Sequence, residues 1–157
     1  MMEKESNQTE IIYHQPGHLK GVTVIQKIGE YIFTGGGDGR ICIWDEDLEI
    51  EISCIYAHNA SITDIQKIAD TDYFITASQD LELKVWSLKT LALRLSKRAH
   101  SSSIIGAKPW RKYIFSAGRD QFLKKWEWNG DELIEIEKIN IPDLERFFIV
   151  DDILITT

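Results

Sequence analysis

The sequence predicts an all-β protein, and three observations carry that prediction. A unit of about 40 residues recurs three times, each unit divides into short apolar runs separated by turn residues, and no segment spaces its apolar residues as a helix would. The register is exact enough to read by eye. Trp44, Trp86 and Trp126 lie 42 and 40 residues apart, and the same two gaps separate Asp38, Asp80 and Asp120 and separate Thr34, Thr76 and Ser116. His18, His58 and His100 lie 40 and 42 apart. Histidine and tryptophan are rare, so chance does not hold four residue types in one register through three units.

Each unit reads as four strands. Gly21–Ile28, Ile62–Ile68 and Ile104–Lys108 supply a first apolar strand. Tyr31–Thr34, Tyr73–Thr76 and Tyr113–Ser116 supply a second, rich in the aromatic and β-branched residues that strands prefer. A turn follows (GGGDGR, ASQDLE, AGRDQF), and the glycines of its first copy suit a positive φ. The third strand is ICIW, LKVW or LKKW. The fourth, within LEIEISCIY, LALRLSKR and LIEIEKIN, alternates apolar and charged residues, as an edge strand with one wet face should.

This pattern resembles the WD40-repeat family, whose repeats are about 40–45 residues long and form four-stranded blades of a β-propeller. Gly17-His18 with Trp44-Asp45, His58 with Trp86, and His100 with Trp126 carry the resemblance. Only the first unit keeps both signature dipeptides. Alanine precedes His58 and His100, while Ser87 and Glu127 follow the later tryptophans. The resemblance implies a partial β-propeller of four-stranded antiparallel blades. Residues 1–7 read as a polar tail and residues 8–157 as the propeller segment, with an isolated outer strand at 8–14, blades at about 18–57, 58–99 and 100–139, and an incomplete blade at 140–157. In the last unit Leu144–Val150 matches a first strand and Ile153–Thr156 a second, with no third strand or tryptophan after them. That makes fifteen strands, too few for an ordinary ring. The expectation is an incomplete chain (a fragment, a split gene or an early stop) whose open blade ends invite self-association.

Histidine, hydroxyl and aspartate are the residue types of a catalytic triad. Three copies in register are the wrong number for one active site, and the family implies a structural role instead. The expected hydrogen-bonded sets are His18, Thr34, Asp38, Trp44; then His58, Thr76, Asp80, Trp86; then His100, Ser116, Asp120, Trp126. No metal site is expected, because the histidines sit one unit apart, and His14 and His18 are separated by Pro16-Gly17. No cofactor motif is present, since the glycine-rich turn lacks GxxxxGK[ST]. Cys42 and Cys54 read as two small buried hydrophobes, too few for a disulfide framework.

Composition narrows the function further. The chain has 157 residues, 18 basic and 25 acidic, for a formal charge of −7, which disfavours nucleic acid and anionic membranes as partners. The polar N-terminus and reduced-cysteine reading suggest a cytoplasmic or nuclear protein. By resemblance, the face bearing the histidine connections and aspartate turns binds a protein or peptide partner. Gly37, Gln79 and Arg119, just before each turn aspartate, point there, with Ser61, Thr63 and Ser103 nearby. Arg119 is the strongest of these, as a cationic fork for a carboxylate or phosphate. Trp110, within the basic stretch KPWRK, is a further contact candidate, read as exposed in the connection between first and second strands. The expected function is a non-enzymatic scaffold. The alternatives are a regulatory or substrate-recruiting part of a longer protein (a ubiquitin-ligase receptor or a kinase-linked protein) and a propeller enzyme.

Overall fold

The computed structural model describes residues 17–150 and 153–157. The expected outer strand at 8–14, with His14, lies outside the described residues. Fourteen strands are present among the described residues. The first sheet holds β1 (Val22–Ile28), β2 (Tyr31–Gly36), β3 (Arg40–Trp44) and β4 (Glu51–Tyr56). The second holds β5 (Ile62–Lys67), β6 (Tyr73–Ser78), β7 (Glu82–Ser87) and β8 (Leu93–Arg98). The third holds β9 (Ile104–Trp110), β10 (Tyr113–Gly118), β11 (Phe122–Trp128) and β12 (Leu133–Asn140), and a hairpin of β13 (Phe147–Val150) and β14 (Ile153–Thr156) follows. Within each sheet, strands pair antiparallel in chain order.

The sheets meet along their first strands, with β5 against both β1 and β9, and β13 against β9. These are the inner strands of an unclosed propeller, and β4, β8 and β12 are its outer edges. Period-two alternation explains how the sheets stack. Phe33, Ile41 and Ile43 of the first sheet face Ile65, Phe74 and Trp86 of the second in one apolar cluster. The opposite face of the second sheet turns Ile75, Leu83 and Val85 toward Ile104, Ala107, Ile114 and Trp126 of the third. The third sheet covers the hairpin in turn, with Ala117 and Leu123 against Leu144 and Phe147. Each fully buried Phe, Leu or Ile contributes about 1.5–3 kcal/mol. In the first seam Phe33 meets Phe74 edge-on, with ring centroids 5.1 Å apart. The outer strands are wet, most fully β12, where every residue after Leu133 is exposed.

Two local expectations need correction. The first strand of the third unit runs on to Trp110, so most of KPWRK is strand and only Arg111 and Lys112 make the turn. Pro109 is tolerated there because β9 is an edge of its sheet, where a missing N–H breaks no ladder. Trp110 is accordingly half-buried, with its ring 6.1 Å from that of Phe115. The cysteines are not two separate hydrophobes. Cys42 and Cys54 are opposite partners in the β3–β4 register, with Cα atoms 4.0 Å apart, and their sulfurs are joined in a disulfide. The glycine-rich turn uses positive φ only at Gly39 (φ 77°), whose counterparts are the non-glycine residues Leu81 and Gln121 (φ 78° and 68°). A Cβ at Gly39 would lie 2.1 Å from the His58 carbonyl oxygen, so it is this contact, rather than a torsion that its counterparts share, that calls for glycine.

Candidate functional site

The repeated histidine, hydroxyl, aspartate and tryptophan residues come together three times. In the second unit His58 Nδ1 lies 2.9 Å from Asp80 Oδ2, and His58 Nε2 lies 2.7 Å from Thr76 Oγ1. Trp86 Nε1 donates to the same hydroxyl at 3.0 Å. The third unit repeats this, with His100 Nε2 2.7 Å from Ser116 Oγ and Trp126 Nε1 donating to that oxygen at 2.9 Å. In the first unit His18 Nε2 is 2.7 Å from Thr34 Oγ1, Trp44 Nε1 donates to it at 2.9 Å, and His18 Nδ1 is 3.3 Å from Asp38 Oδ1.

A carboxylate can only accept, so the ring Nδ1 carries the proton and Nε2 accepts from the hydroxyl. That is the connectivity of an Asp-His-Ser triad, yet it has no nucleophile to offer. Thr76 and Ser116 are fully buried, and each hydroxyl oxygen is already capped by an indole N–H. Each aspartate also ties its turn to the histidine connection. The N–H groups of Leu19, Asn59 and Ser101 donate to Asp38, Asp80 and Asp120, as do those of Arg40, Glu82 and Phe122.

The electrostatics follow. Burial alone would raise the Asp80 carboxyl, but the hydrogen bond and charge of His58 and the N–H groups of Asn59 and Glu82 outweigh it and hold the pKa at about 2. Asp38 and Asp120 are lowered by the same balance. Burial lowers His100, and its bond to Asp120 offsets that only in part.

Backbone bonds pin the turns to one face. The N–H groups of Gly37, Gln79 and Arg119 donate to the carbonyls of Gly21, Ser61 and Ser103 at 3.1, 3.0 and 2.8 Å. Gln79 and Arg119 are exposed, and Ser61 and Ser103 border them. Trp110 does not join this group. Ile104 pairs with Gly118 but Trp110 pairs with Tyr113, so Trp110 sits at the other end of the blade. There it lines an apolar groove of about 280 Å³ with Phe115, Leu123, Ile139, Ile149 and Leu154.

Thr63 lines a second cavity, formed where the inner strands converge, together with Asp64, Gly106, Lys108, Arg146 and Phe148. Asp64 and Arg146 belong to no motif of the sequence, and Lys108 stands in it only as part of the basic stretch KPWRK. The available signal was a break in the repeat, because the register that gives Asp64 gives Val24 in the first unit and Gly106 in the third.

Among the described residues two groups bring possible metal ligands close, Cys42-Glu51-Cys54 and His58-Asp80-Glu82. In the first the sulfurs bond each other, and in the second His58 and Asp80 do.

A family model described as VPS11-like, N-terminal beta-propeller matches residues 7–114. The chain belongs to this family. Its curated relatives are WD40-repeat proteins. They include a p21-activated protein kinase-interacting protein 1-like of Xenopus laevis, 25% identical over 69% of this chain and 30% of that protein. Pre-mRNA-processing factor 17 of Saccharomyces cerevisiae is 27% identical over 69% of this chain and 25% of that protein. Eukaryotic translation initiation factor 3 subunit I of Mycosarcoma maydis is 33% identical over 58% and 29%. The chain thus spans less than a third of the length of these relatives. Among solved structures, the computationally designed Ika4 protein superposes with a TM-score of 0.73 at 18% identity, covering 91% of both chains. The designed Ika8 protein gives 0.72 at 19% identity, covering 86% of this chain and 42% of that one. These two likenesses show the fold. Among the described residues no helix is long and apolar enough to cross a membrane.

Proposed function

We propose that this propeller is a non-enzymatic scaffold that binds a protein or peptide on the face carrying the histidine connections and the aspartate turns. One observation carries the reading. The three triad-like sets spend their reactive groups on one another and on the turn backbone, which leaves a rigid face whose exposed side chains differ from unit to unit. Gly37, Gln79 and Arg119 occupy the same place in three turns, and only Arg119 is charged. The relatives are scaffold or regulatory proteins, which supports the assignment. The blades are taken as about 18–57, 58–99 and 100–139.

Photo-crosslinking tests it. A photoreactive residue at position 79 or 119 should trap a partner that the same residue at position 94 or 134, on the outer strands, does not. Arg119→Ala should lower the yield without moving Tm. Equal trapping from the outer strands would reject the face.

A second reading rests on the apolar groove beside Trp110. Among the described residues the outer edge of β14 pairs with no strand, and Phe115, Leu123 and Ile139 line the groove next to it. A further strand, from a longer chain or a second copy, would cover both. Light scattering distinguishes the two, since a second copy doubles the mass.

A further inference from the structure

We propose that the cavity between the inner strands receives the side-chain carboxylate of an acidic residue in the protein partner, held by Lys108 and Arg146 with the Thr63 hydroxyl as third donor. The proposal rests on the reading of the turn face as a docking surface, because β5 and β9 enter the cavity from that end.

The cavity breaks the repeat in a directed way. Val24, Asp64 and Gly106 occupy one position in three units, opposite Gly35, Ala77 and Ala117. A carboxylate at such a site is expensive unless it is fully bonded, and Asp64 is. It accepts from the N–H groups of Ile65 and Ala107 at 3.0 and 3.2 Å and from Gln66 Nε2 at 2.8 Å, and it lies 2.7 Å from Lys108 Nζ. Gly106 makes room for it, since a Cβ there would stand 2.9 Å from Asp64 Oδ2.

Asp64 therefore serves to hold Lys108, whose ammonium has three donors and whose side chain is one-third exposed (32%). Thr63 Oγ1 is buried and has no hydrogen-bond partner. Its counterpart Thr23 donates to the carbonyls of Gly35 and Ile62 at 3.0 and 2.6 Å. An orphaned buried hydroxyl calls for a ligand to complete it. Arg146 adds a second cation with no ion pair to a described residue, and its backbone is clamped by the bonds that it and Glu145 make with Thr157.

One carboxylate and two cations leave a local charge of about +1 in a protein of net charge −7. A monoanion balances that charge, whereas a dianion such as phosphate would leave an excess against Asp64. At about 280 Å³ the cavity falls just below the ~300–1,000 Å³ of small-molecule sites and suits one side chain. Val24, Ile105 and Phe148 supply apolar wall for a neighbouring apolar residue.

The test is an amide chemical-shift titration of the whole chain with N-acetyl-phenylalanyl-glutamate amide. The Thr63, Ala107 and Phe148 amides should move saturably. The glutamine analogue should bind at least tenfold more weakly, and Arg146→Ala should cost tenfold or more. Thr63→Val should cost several-fold with the fold intact, and Arg94→Ala, on the outer strand β8, should change nothing. Equal binding of the glutamine analogue, indifference to Arg146→Ala, or inorganic phosphate competing better than acetate would overturn the proposal. Dipeptide binding without face-specific crosslinks would remove the docking reading and keep the carboxylate site. Crosslinks without dipeptide binding would do the reverse.

Discussion

The seam between the first two sheets and the seam between the second and third are built from the same repeat positions and reach opposite solutions. Near the inner strands the first seam is apolar, with Val24 packed into the cluster of Phe33, Phe74 and Trp86 and with Thr23 bonded across to the Ile62 carbonyl. The second seam carries Asp64 and Lys108 where the first has Val24 and Gln66, and its threonine is left without a partner. Burial of apolar area does not account for that choice, since a valine already works one blade earlier. A repeat tolerates such a departure because the rest of the second seam, from Ile75 to Trp126, is dry and close-packed.

The largest effect should come from breaking the dry seam. Phe74 has no exposed surface and lies between Phe33 and Trp86. Phe74→Ala should cost about 3–5 kcal/mol in urea unfolding, against a total domain stability of about 5–15. Converting the second seam to the first sharpens the comparison. Asp64→Val alone should cost about 1–3 kcal/mol by stranding Lys108 and taking the acceptor from the Ala107 amide. Adding Lys108→Gln, which reproduces the Val24–Gln66 pair, should recover the part due to the stranded ammonium. A double variant no better than the single would show that Asp64 is needed for packing as well as for charge.

Smaller effects separate the hydrogen-bonded sets from the seams around them. Trp126→Phe removes the donor to Ser116 and should cost about 1 kcal/mol. Lowering the pH probes the carboxylates. Because Asp80 sits at about 2 in the folded chain, against 3.8 ordinarily, its contribution is present above pH 3.8 and is lost as pH falls toward 2. Urea midpoints for Asp80→Asn should be flatter than wild type over that window. The His100 pKa is lowered from 6.5, so its contribution is present above that pH and declines as pH falls below it. The smallest effect is expected at Gln121, exposed and at φ 68°, where Gln121→Gly should gain a few tenths of a kcal/mol by releasing a left-handed strain of about 1 kcal/mol at the cost of chain entropy.

The fold was legible because its signals are periodic. Alternation placed every strand of the three full units to within a few residues, and the tryptophan register put the indole over the right hydroxyl. Two kinds of information were not. The cysteine pairing depends on which residues of β3 and β4 stand opposite, and a bulge between Ile43 and Trp44 sets that register without announcing itself in the residue types. The cavity depends on one residue, Asp64, which departs from a pattern that the eye uses to average over the units. Trp110 differs for another reason: its apolar run stops at Lys108, but β9, an edge strand, continues through Pro109 to Trp110.

The relay from indole to hydroxyl to imidazole to carboxylate to turn amide has a consequence for recognition. It stiffens the turns from beneath, so that the residues at 37, 79 and 119 ride on backbone already held by the carbonyls of Gly21, Ser61 and Ser103. Immobilising a loose side chain on association costs about 0.5–1.5 kcal/mol, with loop ordering on top of that. Here the loop share has been spent during folding. A ligand meeting this face encounters something closer to a moulded plate than to a set of searching loops, and substitutions at those three positions could retune its choice of ligand without softening the plate.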